Sequence, residues 1–385
     1  MIKILTIIGA RPQFIKAAAI SRAIRNYFVD ALTEVIVHTG QHYDSFMSEI
    51  FFTELDVPRE KYNLKVGSHS HAVQTANMMV QLEKILLEEK PHAILVYGDT
   101  NSTLASALVA SKMNIPVIHV EAGIRGYNKE LPEEMNRVIC DHLSTLLFVP
   151  TIAGIEALEK ENIRHPESFS SHFNYNTPGV FLSGDIMYDN ILYFSQKVGT
   201  LAYRYFDEYN LPKDNYVLAT LHRSHNTDHR ENLEQIFEAL LQITVLHNKP
   251  VIFPIHPRTM KAMKEFGLFD KFDKHPHLHI VRPASFLEII ALQKNCDLVL
   301  TDSGGLQKES YFLEKPCIIL LEETPWIELV EGQTAKLAGS NYDKILEAAQ
   351  ILLTKKDLAF PPLYGEGQAA KYICERIIQQ FTPTN

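Results

Sequence analysis

The chain has 385 residues, 46% of them hydrophobic and 22% charged, with a formal net charge of -9, the profile of an ordinary folded protein of one large or two average domains. So acidic a surface excludes nucleic acid and anionic membrane as partners, and an anionic ligand has to be held by a local cationic cluster. The four cysteines, Cys140, Cys296, Cys317 and Cys374, show no CxxC spacing, which argues against a disulfide framework and a zinc site and fits a reducing compartment.

The run Ile2–Ile8 reads as a buried parallel strand, because such strands are continuously apolar rather than alternating. It ends in Gly9-Ala10-Arg11-Pro12, a phosphate-type turn, and a helical pattern follows to Ile24. The segment is too short for a signal peptide and has no cleavage motif. No run approaches the ~20 apolar residues of a membrane span, so a cytoplasmic location is expected. Val35–Val37 ends in His38-Thr39-Gly40-Gln41-His42, Ala93–Tyr97 in Gly98-Asp99-Thr100, Val117–Val120 in Glu121, and Leu146–Val149 in Pro150. Helical stretches such as Gln74–Glu89 and Leu104–Lys112 lie between them.

The stretch His119–Arg137 concentrates chemistry. Glu121 follows a buried strand directly, where a carboxylate needs a partner. A loop with Gly123, Arg125, Gly126 and Asn128 comes next, and Pro132-Glu133-Glu134 opens a helix. Glu133 and Glu134 are either first-turn acids or groups aimed at a ligand; the carboxyl edge of an open α/β sheet is where ligands bind.

Residues Asn162–Thr177, with the polar run before Pro178, break the alternation and mark a boundary. Strands then resume at Tyr216–Leu221, Pro250–Ile255, Ile280–Val281, Leu298–Leu300 and Cys317–Leu321. The first ends in His222-Arg223, the second in His256-Pro257-Arg258, and the fourth in Thr301-Asp302-Ser303-Gly304-Gly305. Small residues before a helix let its free N–H groups approach a phosphate, and Glu309, further along that helix, suits a ribose hydroxyl pair. An ordinary helix start capped by Asp302 or Ser303 would look similar. Arg11 and Lys16 supply positive charge near the first strand end. No metal is expected, since no His/Cys/Asp group has ligand spacing, and the missing GxGxxG fingerprint argues against a nicotinamide cofactor. The expected architecture is α/β with two doubly wound domains: residues 1–175 with the C-terminal helix 368–385, and residues 176–367.

With these motifs assembled, the chain resembles the non-hydrolysing UDP-N-acetylglucosamine 2-epimerase family along nearly its whole length. The resemblance rests on Gly9-Ala10-Arg11-Pro12, His38-Thr39-Gly40-Gln41-His42, Gly98-Asp99-Thr100, Glu121-Ala122-Gly123-Ile124-Arg125, Pro132 to Arg137, His222-Arg223, Thr301 to Glu309 and Tyr364-Gly365-Glu366-Gly367-Gln368. It implies a GT-B fold of two Rossmann-like domains, a UDP-sugar substrate, no cofactor, and a homodimer. It also implies catalytic roles for Asp99, Glu121, Glu133 and His222, and substrate or UDP binding by Arg11, Lys16, Arg137, Ser303, Gly304, Gly305 and Glu309. The chain departs from the family at Ser224-His225, where His-Arg-Arg-Glu-Asn is usual. Gly126-Tyr127-Asn128 and Pro325 to Val330 are similar to a sister branch that acts on UDP-2,3-diacetamido-2,3-dideoxy-glucuronate. The chemistry this implies is inversion at C2 by elimination and re-addition of UDP through a 2-acetamidoglucal, in surface-polysaccharide synthesis. Hydrolysing 2-epimerases and GT-B glycosyltransferases are the rival classes. In this reading Asp99, Glu121 and Glu133 form a carboxylate cluster whose mutual repulsion tunes one of them for proton transfer.

Overall fold

The structure, a computed structural model, describes residues 1–41, 55–164, 173–198, 200–355 and 357–382. His42, like Tyr43 and Asp44 after it, lies outside the described residues.

The chain divides into two compact units, residues 1–190 with 362–385, and residues 191–361. In the first, β1 (Ile2–Ile8), β2 (Leu32–His38), β3 (Tyr62–Asn63), β4 (Ala93–Tyr97), β5 (Val117–Val120), β6 (Leu146–Val149) and β7 (Gly179–Leu182) form one sheet. Among the described residues its order is β3-β2-β1-β4-β5-β6-β7, and every pairing is parallel. Helices α1 (Arg11–Tyr27), α2 (His71–Glu89), α3 (Asn101–Lys112), α4 (Pro132–Leu143) and α5 (Ile152–Lys160) follow their strands, and α6 (Ile186–Lys197) begins in this unit and runs on past residue 190. β4 is buried at every residue, which is why it reads as an unbroken apolar run.

In the second unit, β8 (Val217–Thr220), β9 (Val251–Pro254), β10 (Leu278–Val281), β11 (Leu298–Thr301), β12 (Cys317–Ile319) and β13 (Ala335–Leu337) pair in the order β10-β9-β8-β11-β12-β13, again parallel. The helices are α7 (Thr200–Glu208), α8 (Ser224–Thr227), α9 (Arg230–His247), α10 (Pro257–Glu265), α11 (Phe269–Phe272), α12 (Phe286–Asn295), α13 (Gly304–Phe312), α14 (Ile327–Glu331) and α15 (Tyr342–Thr354). The core includes Phe237, whose ring lies 5.0 Å from Phe253 and 5.2 Å from Phe272; truncating such a residue to Ala costs about 3–5 kcal/mol. Two doubly wound parallel sheets are the architecture the sequence implies.

The boundary falls later than residue 175. β7 hydrogen-bonds to β6 along its length, so residues 176–190 belong to the first unit. Residues 362–367 join them too: the Asp185 amide donates to the Tyr364 carbonyl at 2.9 Å. The C-terminal helix α16 (Ala369–Phe381) packs on α1, with the Ala369 and Ala370 amides donating to Asp189 at 3.0 and 2.8 Å.

Each strand order reverses once, between β1 and β4 and between β8 and β11. Outside the carboxyl ends of such a reversal the flanking loops splay apart and leave a crevice.

Candidate active site

At the first reversal, β1 ends in Gly9 and β4 in Gly98. The phosphate-type turn expected at Gly9-Ala10 is not an open cradle. The Gly9 and Ala10 amides donate to Gln13 Oε1 at 2.8 and 3.1 Å, and Gln13 Nε2 reaches the Tyr97 carbonyl at 2.9 Å. Gly9 is small for the protein's own packing, since a Cβ there would come within 2.2 Å of the Ser102 and Thr39 hydroxyls. Arg11 is the half-buried first residue of α1.

Lys16 is not a solvated helix lysine. It is 7% exposed and its Nζ lies 2.8 Å from Glu121 Oε1. The pair stands over Gly98: a Cβ on that glycine, whose φ is +59°, would lie 3.2 Å from Lys16 Nζ and 3.5 Å from Glu121 Oε1. Glu121 has a φ of +72°, in the left-handed region that costs a side-chain-bearing residue about 1–3 kcal/mol and persists where its surroundings hold it. Its amide and that of Ala122 both donate to the Phe148 carbonyl at 3.1 Å, so β6 fixes the turn.

Asp99 accepts from Arg137 Nη2 at 2.6 Å and Nε at 2.9 Å, and Arg137 Nη1 reaches Glu134 Oε2 at 2.6 Å. Glu134 also takes the Gly126 and Tyr127 amides at 3.0 and 2.8 Å. It is a buried anchor for the loop before α4, whereas Glu133 is exposed in the first turn and makes no ion pair among the described residues. Asp99 and Glu121 each face a cation, so their charges are compensated rather than bare, and Glu133 is exposed.

At the second reversal Asp302 organises the edge. Fully buried, it accepts the His222 amide at 3.0 Å, the Arg223 amide at 2.8 Å and Asn226 Nδ2 at 3.2 Å, and faces His222 Nδ1 at 3.2 Å. Burial lowers the His222 pKa, aided by the charges of Arg223 and Arg258 and opposed by Asp302. At neutral pH His222 is thus a neutral donor or acceptor, not the cation that a diphosphate would attract. Arg258 is engaged by Asp228, at 2.8 and 2.7 Å from its two oxygens. His256 accepts the Arg258 amide, and His38 is buried against Phe14.

With Asp302 occupied, Ser303 begins the nine-residue α13 without a side-chain cap, and the first N–H groups of a helix have no partner within it. A Cβ on Gly304 would meet nothing closer than Trp326 Nε1 at 3.7 Å, and one on Gly305 nothing closer than Glu309 Oε1 at 3.7 Å. Neither glycine is demanded by the protein's own packing, in contrast to Gly9. Trp326 flanks the same turn, its Nε1 donating to the Gly304 carbonyl at 3.0 Å while Lys308 Nζ lies 4.0 Å over its ring. Gln13, His119, Asp141 and Trp326 join the sites without having been singled out as site residues from sequence. For His119 the signal available was a polar residue inside the otherwise apolar strand β5.

Two parallel doubly wound units, each with polar side chains at its switch point and one with an uncapped glycine helix start, define an α/β protein built to handle a nucleotide-linked ligand. Residues 28–378 match the family model described as UDP-N-acetylglucosamine 2-epimerase, and the chain belongs to that family. It is 44% identical over 373 residues to a UDP-N-acetylglucosamine 2-epimerase homolog of Methanococcus maripaludis, covering 97% of this chain and 98% of the relative. It is 42% identical over 377 residues to the UDP-2,3-diacetamido-2,3-dideoxy-D-glucuronate 2-epimerase of Pseudomonas aeruginosa, with the same coverage. The crystal structure of Methanocaldococcus jannaschii UDP-GlcNAc 2-epimerase in complex with UDP-GlcNAc and UDP superposes with a TM-score of 0.83 at 39% identity, over 98% of this chain and 99% of that one.

Among the described residues no helix is long and apolar enough to cross a membrane, and no His/Cys/Asp/Glu group could hold a metal ion. The four cysteines are free and buried.

Proposed function

We propose that this chain inverts C2 of a UDP-sugar of the UDP-N-acetylglucosamine type without hydrolysing it. The observation that carries the proposal is the Lys16–Glu121 pair over Gly98, beside Asp99 held by Arg137: two oriented carboxylates at one switch point, each with a cation. The C2 proton of a sugar is not acidic in the ground state. As the C1–O bond breaks and its electron pair leaves with UDP, C1 gains oxocarbenium character and the C2–H is acidified. A carboxylate takes the proton, giving a 2-acetamidoglucal and UDP. Protonation on the other face and return of UDP to C1 give the epimer, with no net redox change. Asp99 and Glu121 are the groups proposed for proton transfer, with Glu133 at the mouth of α4. Arg11, Lys16, Arg137, neutral His222 and the uncapped Ser303-Gly304-Gly305 helix start are proposed to hold and stabilise the departing diphosphate, and Glu309 the ribose. The place proposed for the reaction is surface-polysaccharide synthesis in the cytoplasm.

The test is conversion in D2O. The carboxylate proton exchanges with solvent, so the product should carry deuterium at C2, with traces of free UDP and 2-acetamidoglucal. Full conversion with protium retained and no UDP released overturns the mechanism. A second reading, the same chemistry on UDP-2,3-diacetamido-2,3-dideoxy-glucuronate, is favoured by the 42% identity to the Pseudomonas aeruginosa enzyme; parallel incubation with both sugars decides between them.

A homodimer is part of the proposal. On α2, Val73, Val80 and Leu87 are 47%, 58% and 61% exposed, spaced by seven as in a helix-packing seam. Leu131, Met135 and Ile139 along α4 are exposed too, and α3 packs between these helices. A second copy is the occupant such self-complementary rows suit.

A further inference from the structure

Beneath the first switch point lies a buried chain of charge that the chemistry above does not use. His119, on β5, is wholly buried. Its Nε2 is 2.8 Å from the Gly98 carbonyl and its Nδ1 2.6 Å from Asp141 Oδ1. Asp141 Oδ2 accepts the Gly123 amide at 3.1 Å and Arg125 Nη1 at 2.8 Å. Arg125 continues to Glu161, with Nε and Nη2 at 2.8 and 2.9 Å from its two oxygens. A carbonyl only accepts, so Nε2 carries a proton. Asp141 takes two donors on its other oxygen, as an ionised carboxylate does, so Nδ1 carries one as well. Burial disfavours the charged ring, but the Cys140 sulfur and the Asp141 carboxylate facing it raise its pKa well above the ordinary value. Burial likewise works against the Asp141 charge, and His119 and Arg125 hold its pKa down.

We propose that His119, clamped between the Gly98 carbonyl and Asp141, is the positioning residue that sets Asp99 and Glu121 in register for proton transfer. It reaches the three backbone points that fix those acids. One is Gly98, next to Asp99 and beneath the Lys16–Glu121 pair. The second is Gly123, two residues after Glu121, reached through Asp141. The third is α4, which carries Asp141 and also Arg137, the partner of Asp99. The histidine touches no substrate; it removes freedom from two peptide units at the reacting edge. The inference rests on the epimerase reading.

Asn and Gln replacements separate its two bonds. Asn places an N–H where Nδ1 stood and keeps the bond to Asp141; Gln places one where Nε2 stood and keeps the bond to Gly98. Active sites are counted by UDP titration, so misfolded protein does not enter the rate. Both variants should lose kcat by ~10–100-fold, the scale on which a displacement of about 1 Å acts, with KM for UDP-GlcNAc within ~3-fold of wild type. H119Q should retain the larger kcat. In wild type, 15N-labelled His119 should show both ring nitrogens protonated at pH 8. If wild type exchanges C2–H in D2O and H119Q does so at the same rate per site, the positioning role is refuted while the epimerase reading stands. A kcat and KM that fall together, or a neutral His119 ring at pH 8, also refute it. A wild type that exchanges no C2–H refutes the epimerase reading and this inference with it.

Discussion

Replacing Glu121 by Gln tests the site where stability and chemistry are most tightly joined. The Lys16–Glu121 pair is 2.8 Å long with side chains 9% and 15% exposed. At an effective dielectric of ~20 the gross attraction is ~6 kcal/mol, most of which the desolvation of two charges offsets. Gln keeps an oxygen for Lys16, so the loss is that of an ion pair weakened to a hydrogen bond with one charged partner, about 1–3 kcal/mol. For a unit of this size that lowers Tm by roughly 2–4 °C per kcal/mol. Turnover should fall much further, by at least ~100-fold, because Gln cannot take a proton. UDP affinity, measured by calorimetry, should change little. The double variant K16M/E121Q separates the effects: with both charges gone it should recover most of the lost Tm, since a buried ion pair replaced as a unit is close to neutral, yet no turnover. Folded E121Q that turns over within ~3-fold of wild type removes Glu121 from the chemistry. A double variant less stable than either single one refutes the account of the pair.

Ala at Gly304 or Gly305 should leave stability unchanged or raise it by up to about 1 kcal/mol, since the methyl group meets only ordinary contacts and Ala favours helix; UDP affinity should drop at least ~10-fold if the turn receives phosphate, and unchanged affinity would reject the cradle. Asp189, pushed up to about 6 by burial, with Asp185 adding to the rise and the α16 amides opposing it, binds its proton more tightly folded than unfolded. Its stabilising contribution is full below about pH 4 and lost as pH rises through 6, by up to about 3 kcal/mol, so D189N should gain on wild type between pH 5 and 7.5 in urea titrations, and a constant gap refutes this. V80E should turn a dimer into a monomer by light scattering while leaving the fold intact; a dimer of unchanged stability would clear α2 of any role in association.

The parallel strands were legible because burial on both faces writes them as continuous apolar runs. The strands missed are β3, β7 and β13, of two to four residues. Tyr62-Asn63 and Ala335-Lys336-Leu337 are too short and too polar to show a run, and their register is set by the strand alongside. β7 follows turn residues that read as a loop up to Gly179, so a boundary read from sequence falls early. At the sites, the polar residues stood out as breaks at strand ends, but their pairings did not. Nothing local in the sequence joins Lys16 to Glu121 or Asp99 to Arg137, and these links decide that the acids are compensated rather than bare. The left-handed φ of Glu121 was invisible for the same reason, because it is enforced by the Phe148 carbonyl on a neighbouring strand.

The two switch points solve opposite problems with the same topology. At the first, the backbone donors at the strand end are consumed internally: Gln13 takes the Gly9 and Ala10 amides. What remains near the crevice is side-chain charge, Lys16 with Glu121 and Arg137 with Asp99, and charge on rotatable groups can accept, release and reorient around a proton. At the second, the acid is consumed instead: Asp302 is saturated by the amides of His222 and Arg223 and by Asn226, beside a helix start without a side-chain cap whose two glycines are not demanded by packing among the described residues. Fixed backbone dipoles cannot move protons, but they bind an anion without reorganising when charge arrives. The glycines differ accordingly: Gly98 has a positive φ and is crowded by Lys16 and Glu121, whereas a Cβ on Gly304 or Gly305 would meet only ordinary contacts.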